Sequence, residues 1–281
     1  MNNSKNINWY PGHMKKATDD IIKKIKDIDF FIEVIDARCP SITSNSELTK
    51  IFNNKIKITV ALKSDLVNTC FQYKDVIYAS TKQQKFRKII LDEINKKCHK
   101  IIESKLKKGY QNIKLVGMVV GLPNIGKSSL INFLTGKNYL IVQNKPGITR
   151  KIAFIKIDKN IVLFDTPGIF LKKVSSFEVG AILTIIGSVD FDVVNKYDVL
   201  KFMYDFSLKF YKKELFQHFL INSPIDFDEF LEFICNLNKF KLKSQAFDFD
   251  RCFLYLLHEF ATSKLFFTDF DQKMNFFNQN Q

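Results

Sequence analysis

An α/β domain followed by an all-helical domain is the fold class the sequence predicts. Short apolar runs alternate with helical patterns up to about residue 168. A Gly-rich motif stands between one of these runs and a helical segment. Beyond Gly168 only helical periodicity remains. The 281 residues suit two domains, at roughly 150 residues each. The boundary is expected between 170 and 180, giving an α/β domain over 1–175 and a helical domain over 176–281.

Residues 1–14 read as an irregular arm that holds the only Trp, in Trp9-Tyr10-Pro11-Gly12-His13-Met14. A Lys-rich amphipathic helix is expected to about Ile28. The runs FFIEVID (30–36), IKITVAL (56–62) and Val76–Ala79 read as strands. A long helix is expected over 82–107, with Phe86, Ile89, Ile90, Ile94, Ile101 and Ile102 near helical spacing. LVGMVVG (115–121) is a buried strand ending in Gly, and a helix starts near Lys127. Strands over 152–157 and 161–164 are joined by a turn at Lys159-Asn160. Three helical stripes follow: Leu200, Met203, Leu208, Tyr211; Phe227, Phe230, Leu231, Ile234, Leu237; and Phe249, Phe253, Leu256, Leu257, Phe260. These are core positions, not a cofactor box.

Composition narrows the function classes. Hydrophobic residues make up 46%, enough for a sizeable core. The most apolar stretch, 179–189, is too short to span a bilayer, and the first residues lack an apolar signal core. A cytoplasmic protein is expected. The five Cys and four His are scattered, so neither a zinc site nor a disulfide framework is expected. The net charge is +14, and it is uneven: residues 1–170 carry 30 Lys+Arg against 14 Asp+Glu, residues 171–281 carry 13 against 15. Such an excess favours a polyanionic partner, most simply nucleic acid; the plain alternative is a solvated Lys-rich surface.

Gly121-Leu122-Pro123-Asn124-Ile125-Gly126-Lys127-Ser128 fits G-x-x-x-x-G-K-[ST] in the context that motif needs, after a strand and before a helix. Backbone N–H groups of Asn124, Ile125 and Gly126, continuing through Ser128 and Ser129, are expected to wrap the phosphates, with the helix N-terminus behind them. Lys127 is expected to bridge the β- and γ-phosphates and Ser128 to ligate Mg²⁺. Asp165-Thr166-Pro167-Gly168 follows a strand 37 residues beyond Ser128. It places Asp165 for the Mg²⁺ shell and the Gly168 N–H for the γ-phosphate. Between them Thr149 can complete the metal coordination.

A carboxylate pairs with guanine N1–H and N2–H₂ but finds no donor at adenine N1, so an Asp-based pocket rejects ATP. The usual N-K-x-D loop does not follow the phosphate motif. One candidate precedes it, Leu62-Lys63-Ser64-Asp65, with Ala79-Ser80 about fifteen residues on, where a backbone N–H can meet guanine O6. The order is base loop, Ala79-Ser80, phosphate loop, Thr149, DTPG. A conventional GTPase begins with the phosphate loop, so this is a circularly permuted order, which close chain ends permit.

These residues resemble the ribosome biogenesis GTPase A family, the YlqF-type circularly permuted GTPases. The likeness includes WYPGHM (9–14), DARCP (36–40), PNIGKSSLIN (123–132), PGITR (146–150) and Glu178-Val179-Gly180. It covers nearly the whole chain, strongly to about 190. The resemblance implies GTP hydrolysis that serves late maturation of the large ribosomal subunit, and a C-terminal domain that touches ribosomal RNA. It implies no membrane and no DNA partner, and a monomer. It also implies catalysis without the water-positioning Gln of Ras-like proteins, whose place Ile169 takes. Asn124 would hold a K⁺ ion beside the phosphates, and His13 is the proposed catalytic group. Lys127, Asn124, His13 and Gly168 are thus the expected catalytic set.

Two departures stand out. Leu62 replaces the Asn of N-K-x-D, a loss of one hydrogen bond worth about 1 kcal/mol. The C-terminal part is slightly acidic, so RNA contact there needs a local basic face such as Lys239, Lys241 and Lys243. Alternatively the contact lies on segment 82–114, with 11 Lys+Arg against 3 Asp+Glu. Two other functions stay open on the sequence: a non-enzymatic RNA-binding module with nucleotide as structural ligand, and a P-loop ATPase.

Overall fold

A computed structural model describes residues 19, 21–67, 73–137, 153–168, 174, 176–262 and 269–278. The expectations that fall on the arm with His13, on Thr149 and on Ile169 lie outside these residues.

The described chain forms two compact bodies. One takes in the residues up to Lys173 together with Asp269–Asp271; the other begins at Val174. The first is built on a six-stranded sheet in the order β3-β2-β1-β4-β6-β5. Its strands are β1 (Phe30–Asp36), β2 (Ile56–Leu62), β3 (Val76–Tyr78), β4 (Leu115–Gly121), β5 (Ala153–Lys156) and β6 (Ile161–Asp165). All neighbours are parallel except β5, which runs antiparallel to β6 at one edge. Every residue of β1 is buried, as befits a central strand covered on both faces.

Helices α1 (Pro40–Thr43), α2 (Ser46–Ile51), α3 (Lys85–Lys107) and α4 (Lys127–Thr135) belong to this body. Asp19, residues 21–24 and a 3-10 turn at Ile25–Asp27 represent the Lys-rich first helix among the described residues. The long helix α3 buries Ile90, Leu91, Ile94 and Cys98; of the expected stripe Ile89 stands exposed instead, and Phe86, Ile101 and Ile102 are half-buried. Arg87 Nε donates to the Leu134 carbonyl at 2.8 Å and ties α3 to α4. The sheet order states the permutation in space. β4, which carries the phosphate motif, lies beside β1, the first strand of the chain.

The second body is helical: α5 (Phe177–Ile185), α6 (Lys196–Phe210), α7 (Lys212–Phe219), α8 (Phe227–Leu237) and α9 (Phe249–Ala261). Side-chain caps set the starts of α5, α6, α8 and α9 through Ser176, Asn195, Asp226 and Asp248, with a full capping box at Asp226/Glu229. Its core is aromatic. Tyr204 stacks on Phe230 at 4.5 Å, and Phe219 meets the same ring edge-on at 5.1 Å. Two stripe positions differ from expectation. Leu237 and Phe249 stand exposed, the one at the end of α8 and the other at the start of α9. The apolar run 179–189 mostly lies in α5 and the turn after it and is almost entirely buried. No described helix is long and apolar enough to cross a membrane. A last helix, α10 (Phe270–Asn278), closes the described chain.

Candidate nucleotide site

The parallel strands β1, β2, β3, β4 and β6 end at one edge of the sheet, and the described candidate residues lie at or after those ends, with Leu62 closing β2, Asp165 closing β6 and Ser128 and Ser129 opening α4. That edge is where open α/β sheets bind ligands. After β2 the chain turns at Lys63, in the left-handed region at φ 62°, into a 3-10 turn carrying Asp65. The neighbouring strand end supports it: Ser64 N donates to the Ala79 carbonyl at 3.2 Å, and Ala79 N to the Ala61 carbonyl at 2.8 Å. The Asp65 carboxylate accepts from Lys82 Nζ at 2.7 Å. Partial burial opposes its ionisation, but Lys82 and the Ser80 hydroxyl outweigh that and hold its pKa below the ordinary value.

The phosphate motif follows β4. Its turn needs Gly126 at φ 111°, and Leu62 is its neighbour: a Cβ on Gly126 would meet Leu62 Cδ1 at 2.9 Å. The base-loop candidate and the phosphate loop therefore touch through the residue that replaces the family Asn. A recess of about 350 Å³ is lined by Thr81 and Gln84 from the base side and by Ser129 and Asn132 from α4. Asn124 takes a left-handed conformation at φ 53° in the loop. Ile125 is buried.

Lys127 is buried, and its ammonium donates to the carbonyls of Leu122 at 2.7 Å and Gly121 at 3.3 Å. Burial lowers its pKa to about 8, against the opposing pull of Asp165. Ser128 Oγ donates to Asp165 Oδ2 at 3.0 Å. The other oxygen, Oδ1, is buried with no hydrogen-bond partner. Burial raises the Asp165 pKa, with Lys127 and Ser128 opposing. Thr166 Oγ1 anchors this segment to the Val119 carbonyl at 2.6 Å. Gly168 then lies against the phosphate loop so closely that a Cβ on it would stand 2.5 Å from Pro123 Cα.

Chain comparisons decide the family. A "Probable ribosome biogenesis GTPase A" of Mycoplasma genitalium is 37% identical over 242 residues, covering 82% of this chain and 83% of that one. The chain belongs to the ribosome biogenesis GTPase A family. A Bacillus cereus "Ribosome biogenesis GTPase A" is 30% identical over 270 residues, covering 92% and 91%. Residues 116–227 match the family described as "50S ribosome-binding GTPase", a match that begins in β4, after the loop that carries Asp65. The fold is similar to the GNP-bound YlqF of T. maritima, with a TM-score of 0.63 and 22% identity over 89% of this chain and 94% of that one. The family member is accordingly a GTPase of ribosome assembly with the permuted α/β fold and a helical C-terminal region.

Three features of the site escaped the sequence. Asp36 and Arg38 were visible as a motif without a role; the structure buries both in one ion pair beside the base loop. Lys82 pairs with Asp65 across 17 residues. Asp271 takes Ser41 N and Ser41 Oγ at 2.7 Å each and the Tyr73 hydroxyl at 3.2 Å. No spacing rule announces a contact across 230 residues.

Proposed function

We propose that the chain is a nucleotide-timed factor for late maturation of the large ribosomal subunit, acting in the cytoplasm as a monomer. Asp65 reads guanine, with Lys63 beside the base and Ser80 near O6. The loop from Asn124 to Ser129 cradles the phosphates, and Gly168 senses the γ-phosphate. The observation that carries this reading is the contact of Leu62 with Gly126, which brings base loop and phosphate loop to one place.

Mg²⁺ fits the residues present. Ser128 and Asp165 offer hard oxygens, and the unpartnered Asp165 Oδ1 is a buried acceptor that a cation would satisfy. Bound there, Mg²⁺ would neutralise charge on the β- and γ-phosphates. Thr149 would join that shell and His13 would act at the γ-phosphate. A K⁺ ion at Asn124 would add positive charge in place of the missing Gln.

Ribosomal RNA suits the charge pattern. Lys85, Lys88, Lys96, Lys100 and Lys107 stand exposed along one stripe of α3. Among the described residues Lys88, Lys100 and Lys107 have no ion-pair partner, so they are available to phosphates. Lys239, Lys241 and Lys243 are exposed on the turn after α8 and offer a second, smaller basic surface.

Sedimentation with ribosomal subunits tests the proposal. The protein is expected to travel with the large subunit in a non-hydrolysable GTP analogue, and to leave it in GDP or without nucleotide. Large subunits are also expected to speed GTP turnover. Equal turnover with and without them would refute the reading.

A further inference from the structure

Asp36 ends β1 with its carboxylate fully buried, and nothing above gives it a task. Oδ1 accepts from Arg38 N at 3.0 Å and from Arg38 Nε at 2.9 Å. Oδ2 accepts from Arg38 Nη2 at 2.8 Å and from Lys63 Nζ at 2.9 Å. Burial alone would raise the Asp36 pKa, yet Arg38 and Lys63 hold it far below the usual carboxylate range.

Arg38, itself buried, already completes a neutral pair with Asp36. Lys63 is a second cation on the same carboxylate, and it comes from elsewhere. It belongs to the loop after the neighbouring strand, two positions before Asp65, with a left-handed backbone. Its ammonium is tied back across 27 residues, so its stem is held between the ends of β1 and β2. With Leu62 in place of Asn, this tie is a polar link that still fixes the base loop to the strand beside it.

We propose that Asp36 is a positioning residue for guanine recognition: it pins the Lys63 ammonium so that the Lys63 stem forms an apolar platform for the purine face while Asp65 reads the purine edge. The inference rests on the assignment of Asp65 as the base-reading carboxylate. The two residues then have separable roles. A platform is indifferent to the exocyclic groups of the purine, whereas the Asp65 carboxylate gains a partner from the 2-amino group.

The test measures the affinity of the full chain for GDP and for IDP, which lacks that amino group. Asp65→Ala is expected to bring the GDP-to-IDP ratio close to one. Lys63→Met and Asp36→Asn are each expected to weaken both ligands by about tenfold, the worth of one good contact, and to leave the ratio unchanged. Combining the two should cost no more than either alone. Asp36→Asn strands part of the buried Arg38, so Asp36→Asn with Arg38→Met, which removes the anchor without leaving a buried charge, should give the same pattern. A normal Lys63→Met loss with Asp36 variants that bind like the parent would overturn the inference alone. So would a shifted ratio in the Asp36 variants, or losses that add. An unchanged ratio in Asp65→Ala would bring down the base-reading assignment and the inference with it.

Discussion

Leu62 occupies the space into which a Cβ on Gly126 would project, with its Cδ1 2.9 Å from that position. A leucine at the place of the family Asn thus joins the loop after β2 to the loop after β4 by packing instead of by a hydrogen bond. Leu62 is 2% exposed, so Leu62→Ala is expected to destabilise the protein by about 2–3 kcal/mol and to weaken GDP binding. Leu62→Asn should regain the polar tie and bind GDP more tightly than Leu62→Ala while melting below the parent. Thermal melts and GDP titrations on the three proteins check this.

Lys127 gives a pH dependence with a definite sign. Its pKa in the nucleotide-free fold is lowered to about 8 by burial, while phosphates require the charged form. Nucleotide affinity is therefore expected to fall as pH rises above about 8, and binding near pH 8.5 to take up a proton. Without nucleotide the sign reverses. The unfolded chain holds this proton up to the ordinary 10.5, so the contribution of Lys127 to stability rises with pH between about 8 and 10.5. Calorimetry in two buffers of different ionisation enthalpy measures the uptake.

Asp165 carries a buried oxygen without a partner. Asp165→Asn removes a desolvated charge, so the metal-free, nucleotide-free protein is expected to melt no lower than the parent. The same variant should lose the gain in GTP affinity that Mg²⁺ gives the parent. A parent whose GTP binding ignores Mg²⁺ would refute the metal assignment. Melts and GTP titrations with and without Mg²⁺ separate these outcomes.

Asp271 fastens the loop after β1 by holding Ser41 and Tyr73. The Phe270 N–H donates to the Arg38 carbonyl beside it at 2.8 Å. Asp271→Ala would leave Ser41 N and Oγ without these bonds, at an expected cost of about 1–3 kcal/mol. The lowered melting temperature should appear with and without GDP, since the bonds lost go to Ser41 and Tyr73.

The sequence by itself determined the strand–helix alternation, the phosphate loop and the permuted order, because these depend on local chemistry. A seven-residue run with five apolar residues reads as a buried strand, and a loop that must turn backbone N–H groups inward needs Gly at fixed spacing. It also showed Asp36-Ala37-Arg38 as a motif shared with the family, without a use for it. Tertiary structure alone decided its partners. Asp36 meets Lys63 because β1 and β2 are hydrogen-bonded neighbours, and Asp271 meets Ser41 because chain separated by 230 residues returns to that loop. The same holds for Lys127, whose pKa is lowered by burial that no motif reports. Hydrogen bonds within a turn follow from nearby residues, but desolvation and long-range pairing depend on what the rest of the chain brings alongside.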